Sequence, residues 1–106
     1  MLFSLQIQNA EQHGAAGVLL YTDPHEFAPD GPNNTFPHSF WLPDTGIQRG
    51  GAIYRGIPGD PKTPGLPSID GMYRSADSNF MSTVPSYQLS YGDASEILQL
   101  MKGKKN

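Results

Sequence analysis

Residues 9–24, NAEQHGAAGVLLYTDP, contain the transition that decides the fold: the end of a helical pattern, a glycine, and a short apolar run. The apolar run GVLLY, residues 17–21, is bounded by glycine and by a Thr-Asp-Pro turn, which is typical of a short buried strand. Gly14 separates the two patterns and is a natural stop for the preceding helix. A helix followed directly by a buried strand predicts layers of helix and sheet.

A helix over residues 5–13 is predicted ahead of this strand. Apolar side chains recur along it, and Ser4 is a suitable N-cap, because its hydroxyl can accept a hydrogen bond from the first turn. The apolar positions are Leu5, Ile7 and Ala10.

A second helix is predicted near the other end of the sequence. Residues 84–90, VPSYQLS, alternate as a strand does, and Pro85 confines that strand to an edge or lies at its start. Ser90 and Asp93 form a pair resembling a capping box, and Gly103 is the expected stop. The apolar face between them consists of Ala94, Ile97, Leu98 and Met101. Together these elements predict an α+β fold, with a small mixed sheet flanked by helices.

The composition limits the chain to one small domain with a modest core. Its 106 residues include 12 glycines and 10 prolines, and 37% of them are hydrophobic. Much of the chain must therefore be ordered loop. A net charge of −3 argues against a general nucleic-acid or anionic-membrane surface. Because the sequence has no cysteine, disulfides, thiolate catalysis and cysteine-ligated zinc are excluded.

Residues 23–71 show almost no periodicity. So long a loop in a small domain is normally either functional or packed against another element. A polar disordered linker is the alternative, and it is less favoured because the segment is rich in aromatic residues. Among them are Phe36, Phe40, Trp41 and Tyr54. If the domain folds alone, we expect it to bury the indole of Trp41.

Within this loop, residues 47–65, IQRGGAIYRGIPGDPKTPG, superficially resemble a phosphate-binding loop. That loop needs a glycine N–H directly before its Lys-Thr pair, but Pro61 precedes Lys62 and has no N–H to donate. The dinucleotide-binding pattern also fails, since Gly50 and Gly51 are adjacent. Nucleotide binding is therefore not predicted.

The sequence predicts no catalytic residue within this chain. Its histidines, His13, His25 and His38, are not in metal-ligand spacing, and no serine lies in a G-x-S-x-G motif. Asp23-Pro24-His25-Glu26 could bind a metal weakly, but a tight bend capped by Asp23 is the favoured interpretation. No metal is assigned to the chain alone.

One Asn-x-Thr sequon, Asn33-Asn34-Thr35, makes Asn33 a candidate glycosylation site, on the condition that the chain is extracellular. No apolar run approaches the roughly 20 residues that a membrane-spanning helix needs. The sequence itself leaves the localisation unknown.

Three passages carry a family resemblance. Residues 9–24 resemble the helix, strand and turn of protease-associated (PA) domains. Residues 35–68, with L-P, Q-R-G and G-D-P-x-T-P-G in that order, are similar to the apical domain of the glutamate carboxypeptidase II family, the N-acetylated-alpha-linked acidic dipeptidases (NAALADases). Residues 84–103 fit the strand and helix that close that domain. The resemblance implies that residues 1–106 are a partial PA domain without a peptidase domain, incomplete at its N-terminus because the family's sheet has earlier strands.

In that family the apical domain forms one wall of the substrate cavity of a zinc peptidase. The resemblance therefore implies a non-catalytic wall and gate of a zinc-dependent metallocarboxypeptidase that removes C-terminal residues from peptides. The two zinc ions and the general base would belong to the peptidase domain of the same protein. The family also implies a dimerisation domain, a homodimer, and a glycoprotein anchored in the plasma membrane on its extracellular side.

The resemblance also implies two sites. The backbone carbonyls of Thr63 and Leu66 would bind a structural calcium, whose carboxylate ligands come from the peptidase domain. Arg49, Gly50 and Gly51 would form the loop beside the substrate. Here Gly51 replaces an asparagine of the glutamate-preferring enzymes, and residues 2–4 lack their arginine, so recognition of an acidic C-terminal residue is not expected. We expect Arg49 to anchor the loop more than to contact the substrate.

Two rival functions stay open. The transferrin receptor resembles the same family and uses its apical region without peptidase chemistry, so the chain could be a receptor-type binding module. Alternatively, a free-standing PA domain could bind a partner through exposed aromatic side chains. Zinc ligands encoded after Asn106 would distinguish a peptidase from a receptor.

Overall fold

The computed structural model describes residues 3–51, 59–75 and 81–103. Its fold is α+β, as predicted, with helices and a small parallel sheet. In chain order the elements are α1 (Phe3–Gln12), β1 (Val18–Leu20), α2 (Pro24–Phe27), a 3₁₀-helix (Pro32–Asn34), β2 (Ser86–Gln88) and α3 (Tyr91–Met101). β1 and β2 pair as a two-stranded sheet.

Two compact units divide the chain. The first comprises Met1–Val18 and Gly50–Ser86, and the second comprises Leu19–Arg49 and Tyr87–Asn106. Each has a small apolar interior among its described residues, formed by Ile7 in the first unit and by Leu20, Ala28 and Ala94 in the second. None of the helices in the described ranges is both long and apolar enough to cross a membrane.

Helix α1 belongs to the first unit and starts earlier than predicted. Ser4 is inside the helix and buried, so its predicted role as the N-cap is wrong. Ser4 lies three residues before the buried Ile7 on the same helix face, which places its small side chain against the interior. The end agrees with the prediction: Gly14 adopts a φ of +80°, and the Ala15 N–H donates to the Ala10 carbonyl at 3.0 Å.

The sheet is shorter and more exposed than the sequence suggests. Strand β1 begins where the Val18 N–H donates to the Pro85 carbonyl at 2.9 Å, which places Pro85 directly before β2 as predicted. Leu20 is buried, but Leu19 is 57% exposed. The prediction of a fully buried strand is therefore wrong at Leu19, because alternate side chains point to opposite faces and only one face of β1 is covered in the described structure.

Helix α3, in the second unit, has the predicted ends. The hydroxyl of Ser90 accepts a hydrogen bond from the Asp93 N–H at 3.2 Å, and Gly103 has a φ of +82° just after the helix. Ala94 is buried on the predicted apolar face. The remaining members of that face are exposed by 40% or more: Ile97, Leu98 and Met101.

The long loop contains more local structure than its sequence indicates. Asp23 caps α2 by accepting a hydrogen bond from the His25 N–H at 2.9 Å, as the capped-bend interpretation requires. Trp41 is only half-buried, less than we expected, because its ring nitrogen donates to the Asp30 carboxylate at 2.8 Å near the surface. Tyr54, another aromatic residue of this loop, lies outside the described residues.

Candidate functional site

Gly50, a member of the predicted substrate-side loop, lies close to the first residue of α1. At Gly50, a Cβ atom would lie 2.4 Å from Cδ2 of Phe3, well inside van der Waals contact. The backbone of this loop therefore approaches the Phe3 ring more closely than any residue with a side chain would allow. Glycine at this position is explained by packing inside the chain.

The two neighbours of Gly50 are solvent-exposed. Arg49 and Gly51 both lie at the surface, and the guanidinium of Arg49 has no hydrogen bond or ion pair with another described residue. The expected anchoring role of Arg49 stays a prediction, because its partner would have to lie outside the described residues. In this structure its positive charge faces solvent and is accessible to an anionic group.

The G-D-P-K-T-P-G segment forms a compact turn organised by Asp60. Its carboxylate accepts hydrogen bonds from the Lys62 N–H at 2.8 Å and from the Ser68 hydroxyl at 2.9 Å. These two bonds, with the positive charges of Arg74 and Lys62, lower the pKa of Asp60 against a smaller opposing effect of burial. Arg74 in turn donates to Ser68 Oγ at 3.2 Å, so the turn is linked to the segment that follows it.

Thr63 and Leu66, the predicted calcium-binding residues, lie together in this turn. The Thr63 carbonyl accepts a hydrogen bond from the Leu66 N–H at 3.0 Å, which leaves its second lone pair available. Thr63 is 2% exposed, and its hydroxyl has no hydrogen-bond partner within the described part of the chain. Leu66 is 55% exposed.

These oxygens fit part of a calcium coordination shell. Calcium prefers carbonyl, hydroxyl and carboxylate oxygens, usually six to eight of them. The turn can offer neutral oxygens, but the Asp60 carboxylate is already engaged by Lys62 and Ser68. No group of three or more His, Cys, Asp or Glu side chains that could hold a metal ion occurs in the described ranges. The carboxylate ligands would therefore have to come from another polypeptide segment.

The sequence did not predict a cleft in the second unit, beside α3. It has a volume of about 500 Å³, and it is lined by Tyr21, Asp23, Tyr91, Ser95, Gln99 and Lys102, among others. An apolar groove of about 200 Å³ adjoins it and includes Leu19, Leu89, Ala94 and Met101. In the sequence, a set of residues recurs at helical spacing and could have indicated that one face of α3 lines a cleft: Tyr91, Ser95, Gln99 and Lys102.

Tyr91 joins the start of α3 to the loop of the same unit. Its hydroxyl donates to the Leu42 carbonyl at 2.7 Å, and the Gly92 N–H donates to the Asp44 carbonyl at 3.0 Å. Burial, with a further effect of the negative Asp44, raises the pKa of Tyr91. Tyr91 is therefore a neutral structural tether at this edge of the cleft.

The sequon lies on the surface of the second unit. Asn33 is in the exposed 3₁₀-helix Pro32–Asn34, whereas Thr35 is 7% exposed. The same loop exposes two aromatic rings, because Phe36 and Phe40 are 67% and 83% accessible to solvent.

Comparison with known proteins adds an independent line of evidence. The family model of the PA domain matches residues 1–53, half of the chain. The Probable glutamate carboxypeptidase LAMP1 of Arabidopsis thaliana is 39% identical over 102 residues, which cover 92% of this chain and 14% of that protein. Aminopeptidase NAALADL1 of Rattus norvegicus is 39% identical over 100 residues, 90% of this chain and 13% of that protein.

A third relative is named as a receptor, whereas the first two are named as peptidases. Transferrin receptor protein 2 of Homo sapiens is 32% identical over 104 residues, which cover 95% of this chain and 12% of that protein. The chain thus spans only 12–14% of the length of these three curated relatives.

Proposed function

This chain belongs to the PA domain family, and from that premise we propose that it is a non-catalytic wall and gate of the substrate cavity in a zinc-dependent carboxypeptidase. Its relatives are glutamate-carboxypeptidase-like proteins of much greater length. The catalytic zinc ions, the general base and the bound peptide would be held by other parts of such a protein. The chain's own contribution would be its shape and the exposed positive charge of Arg49.

The observation that carries this proposal is the loop around Gly50. At Gly50 the backbone approaches the Phe3 ring more closely than a residue with a Cβ would allow. The exposed Arg49 directly precedes Gly50 in the chain, and its positive charge faces solvent. An accessible cation next to a position that suits only glycine is compatible with a cavity wall that borders a peptide carboxylate.

We also propose that the Asp60 turn supports a structural calcium ion. The Thr63 and Leu66 carbonyls, with the buried Thr63 hydroxyl nearby, would supply neutral oxygens, and the peptidase domain of the same protein would supply the carboxylates. Such an ion would hold this turn against the peptidase domain and would take no part in the reaction.

We base the proposed partners, location and substrate on the family resemblance. The partners would be the peptidase and dimerisation domains of one polypeptide, in a homodimer on the extracellular side of the plasma membrane. The substrate would be a peptide whose C-terminal residue is removed.

A first test is the coding sequence on both sides of this chain. A transcript that continues into the His, Asp and Glu ligands of a two-zinc site would support the cavity-wall function. Replacement of those ligands would contradict it. A clean preparation of the chain alone should show no zinc-dependent peptide hydrolysis, and turnover by that preparation would contradict the non-catalytic role.

A sharper test replaces Arg49 by alanine in the complete protein. If the guanidinium contacts the substrate, KM should rise by up to about fivefold with kcat unchanged, since an exposed charge contributes about 1 kcal/mol or less. If Arg49 anchors the loop, Arg49→Ala should instead lower the Tm. Lys102→Ala, which removes an exposed positive charge next to α3, is the matched control and should change neither. An Arg49→Ala protein with unchanged KM and Tm would exclude both roles.

A receptor-type binding module is the second candidate function. The 32% identity to Transferrin receptor protein 2 favours it, because that name describes a receptor. The two functions predict opposite results for the zinc ligands in the coding sequence, so the first test separates them.

A further inference from the structure

The second unit presents a group of aromatic rings to solvent. Phe36 and Phe40 are 67% and 83% exposed. The ring centroids of Phe40 and Trp41 lie 4.5 Å apart, and their planes are tilted by 36°. Singly scattered apolar residues are ordinary on a protein surface, but a group of them marks an interaction site. We call Phe36, Phe40 and Trp41 the aromatic patch.

Backbone hydrogen bonds hold the aromatic patch in a folded loop. The Phe36 N–H donates to the Trp41 carbonyl at 2.9 Å, and the Leu42 N–H donates to the Phe27 carbonyl at 3.0 Å. The rings therefore project from a backbone that is already ordered. A partner that binds them loses little free energy to ordering the loop, so this surface is preorganised for binding.

A carboxylate borders the aromatic patch. The indole N–H of Trp41 donates to Oδ2 of the exposed Asp30 at 2.8 Å, and Oδ1 of Asp30 has no hydrogen bond to another described residue. The surrounding sequence, residues 19–48, has no lysine or arginine. Its formal charges are all negative, so a cationic partner is electrostatically complementary to this part of the second unit. The acidic residues are Asp23, Glu26, Asp30 and Asp44.

We propose that the aromatic patch and Asp30 bind an arginine side chain, carried by a segment of the same polypeptide outside residues 1–106. A guanidinium can stack flat on an aromatic ring while its N–H groups donate to a carboxylate. The rings of Phe40 and Trp41 and the unpaired oxygen of Asp30 offer both interactions. A lysine ammonium suits this surface less well, because it is a compact and strongly hydrated charge.

The length of the relatives favours the same polypeptide as the source of this arginine. The chain spans only 12–14% of the length of three curated relatives. In a polypeptide of that length, a tethered segment has a high effective concentration at this surface, which a separate protein lacks. The inference rests on the proposed function for the existence of such a polypeptide. It adds the chemistry of one contact, which the cavity-wall function does not specify.

Photo-crosslinking in the complete protein tests this contact. Benzoylphenylalanine is incorporated at position 40 in place of the exposed Phe40, the protein is illuminated, and mass spectrometry of the digest identifies the cross-linked peptide. We expect a peptide of the same polypeptide that lies outside residues 1–106 and contains an arginine. The same analogue at Tyr73, which is 78% exposed in the first unit, is the control and should not capture that peptide.

Several results of this experiment would overturn the proposal. They are a cross-link to a separate protein, a cross-link to a second copy, a captured segment without arginine, and no cross-link at all. A mixture of isotopically labelled and unlabelled protein distinguishes a second copy from the same polypeptide, because only a contact between copies joins labelled to unlabelled peptides.

A charge-removing variant tests the role of Asp30. Asp30→Asn keeps an oxygen that can accept the Trp41 N–H but removes the negative charge. We expect it to lower the cross-linking yield from position 40 by about two- to fivefold, the range for an exposed ion pair. Asp44→Asn, which removes an exposed charge of the same acidic segment, is the matched control and should retain the yield.

Replacing the captured arginine by methionine completes the cycle. This change should lower the yield as much as Asp30→Asn, and the two changes together should lower it no further, because they remove one interaction. Additive losses, or an unchanged yield in Asp30→Asn, would contradict the pairing. A polypeptide that lacks the zinc ligands but gives the expected cross-link would contradict the cavity-wall function and leave this inference intact.

Discussion

At Gly50 the neighbouring Phe3 ring leaves no space for a Cβ atom. We expect Gly50→Ala to lower the free energy of unfolding of the 106-residue chain by about 0.5–1.5 kcal/mol, the cost of moving a side chain off its preferred rotamer, because Gly50 is exposed and the half-buried Phe3 ring is the obstacle. The new Cβ would lie 2.4 Å from Cδ2 of Phe3, so either the ring or the loop backbone must move. Urea denaturation followed by circular dichroism measures the change.

A matched control for this substitution is Gly17→Ala in the same unit. A Cβ at Gly17 would meet the Pro85 carbonyl at 3.4 Å, an ordinary contact, so Gly17→Ala should be nearly neutral. Phe3→Leu should partly rescue Gly50→Ala if the ring is the cause. Equal stability of the two alanine variants would show that the Phe3 contact does not restrict position 50.

Asp60 makes the stability of its turn dependent on pH. Hydrogen bonds from the Lys62 N–H and the Ser68 hydroxyl lower its pKa in the folded chain. The unfolded chain therefore takes up this proton first as the pH falls. The stabilisation is fully present above the unfolded pKa of about 3.9 and is lost as the pH falls through the lower folded value.

We accordingly expect the wild-type chain to lose more stability than Asp60→Asn as the pH falls below about 4. Urea unfolding at a series of pH values measures the two slopes. Asp70→Asn, which removes an exposed carboxylate of the same segment, controls for the change in net charge. Parallel slopes for wild type and Asp60→Asn would refute a role of Asp60 in acid sensitivity.

In helix α3, replacing Gly92 by alanine would have two opposing effects, a gain in helix propensity and a loss through overpacking. Alanine is favoured over glycine by about 1 kcal/mol within a helix. At Gly92, however, a Cβ would lie 2.7 Å from the backbone oxygen of Asp44, which cannot rotate away as a side chain can. We expect Gly92→Ala to lower the free energy of unfolding by about 1 kcal/mol or more, because overpacking exceeds the gain in propensity.

Chemical denaturation of Gly92→Ala and Ser95→Ala in parallel tests this balance. Ser95 is an exposed position of the same helix, and its replacement by alanine should be neutral or slightly stabilising. If Gly92→Ala were more stable than the wild type, the Asp44 backbone would have to move away from the new Cβ at a smaller free-energy cost than the gain in helix propensity.

The elements that the sequence predicted well are those specified by local chemistry. The Ser90 cap and the Gly103 stop of α3 depend on residues within a few positions of each other, and both are present. Long-range contacts were not predictable in this way. Ser4 has the side chain of a helix cap, but packing places it inside α1. Likewise the burial of Thr63 results from a folded turn, which its polar side chain does not indicate.

For the candidate calcium-binding turn, the family resemblance implied that Thr63 and Leu66 lie in one turn, and a hydrogen bond joins them in the structure, whereas their role in binding calcium stays a prediction. The sequence could not predict the hydrogen bond between Asp60 and Ser68, because that contact joins residues eight positions apart through a loop without periodicity. The cleft beside α3 was missed because its two sides come from distant parts of the sequence.

At the scale of the whole molecule, the chain buries little apolar surface. Within the described residues only four hydrophobic side chains are buried: Ile7, Leu20, Ala28 and Ala94. Much larger side chains stay accessible, including those along α3 and β1. A sheet of two strands with so small a core is marginal by itself, which agrees with a chain that belongs to a family of much longer relatives.

The exposed apolar groove of the second unit should bind an apolar dye. Leu19, Leu98 and Met101 line it and are 57%, 46% and 60% exposed. Apolar dyes that fluoresce when they leave water bind to such contiguous surfaces. We therefore expect the isolated chain to increase the fluorescence of an anilinonaphthalene sulfonate dye. Leu98→Glu should reduce that increase severalfold, because it introduces a charge into the apolar lining.

Ile69→Glu is the matched control, since Ile69 is 59% exposed, belongs to the first unit and is not among the residues that line the groove. It removes a similar amount of exposed apolar surface and adds the same charge. If the dye binds the groove, Ile69→Glu should retain most of the fluorescence increase that Leu98→Glu loses. If both variants reduce it equally, the dye responds to net charge or to scattered apolar residues, and the groove is not a continuous apolar surface in solution.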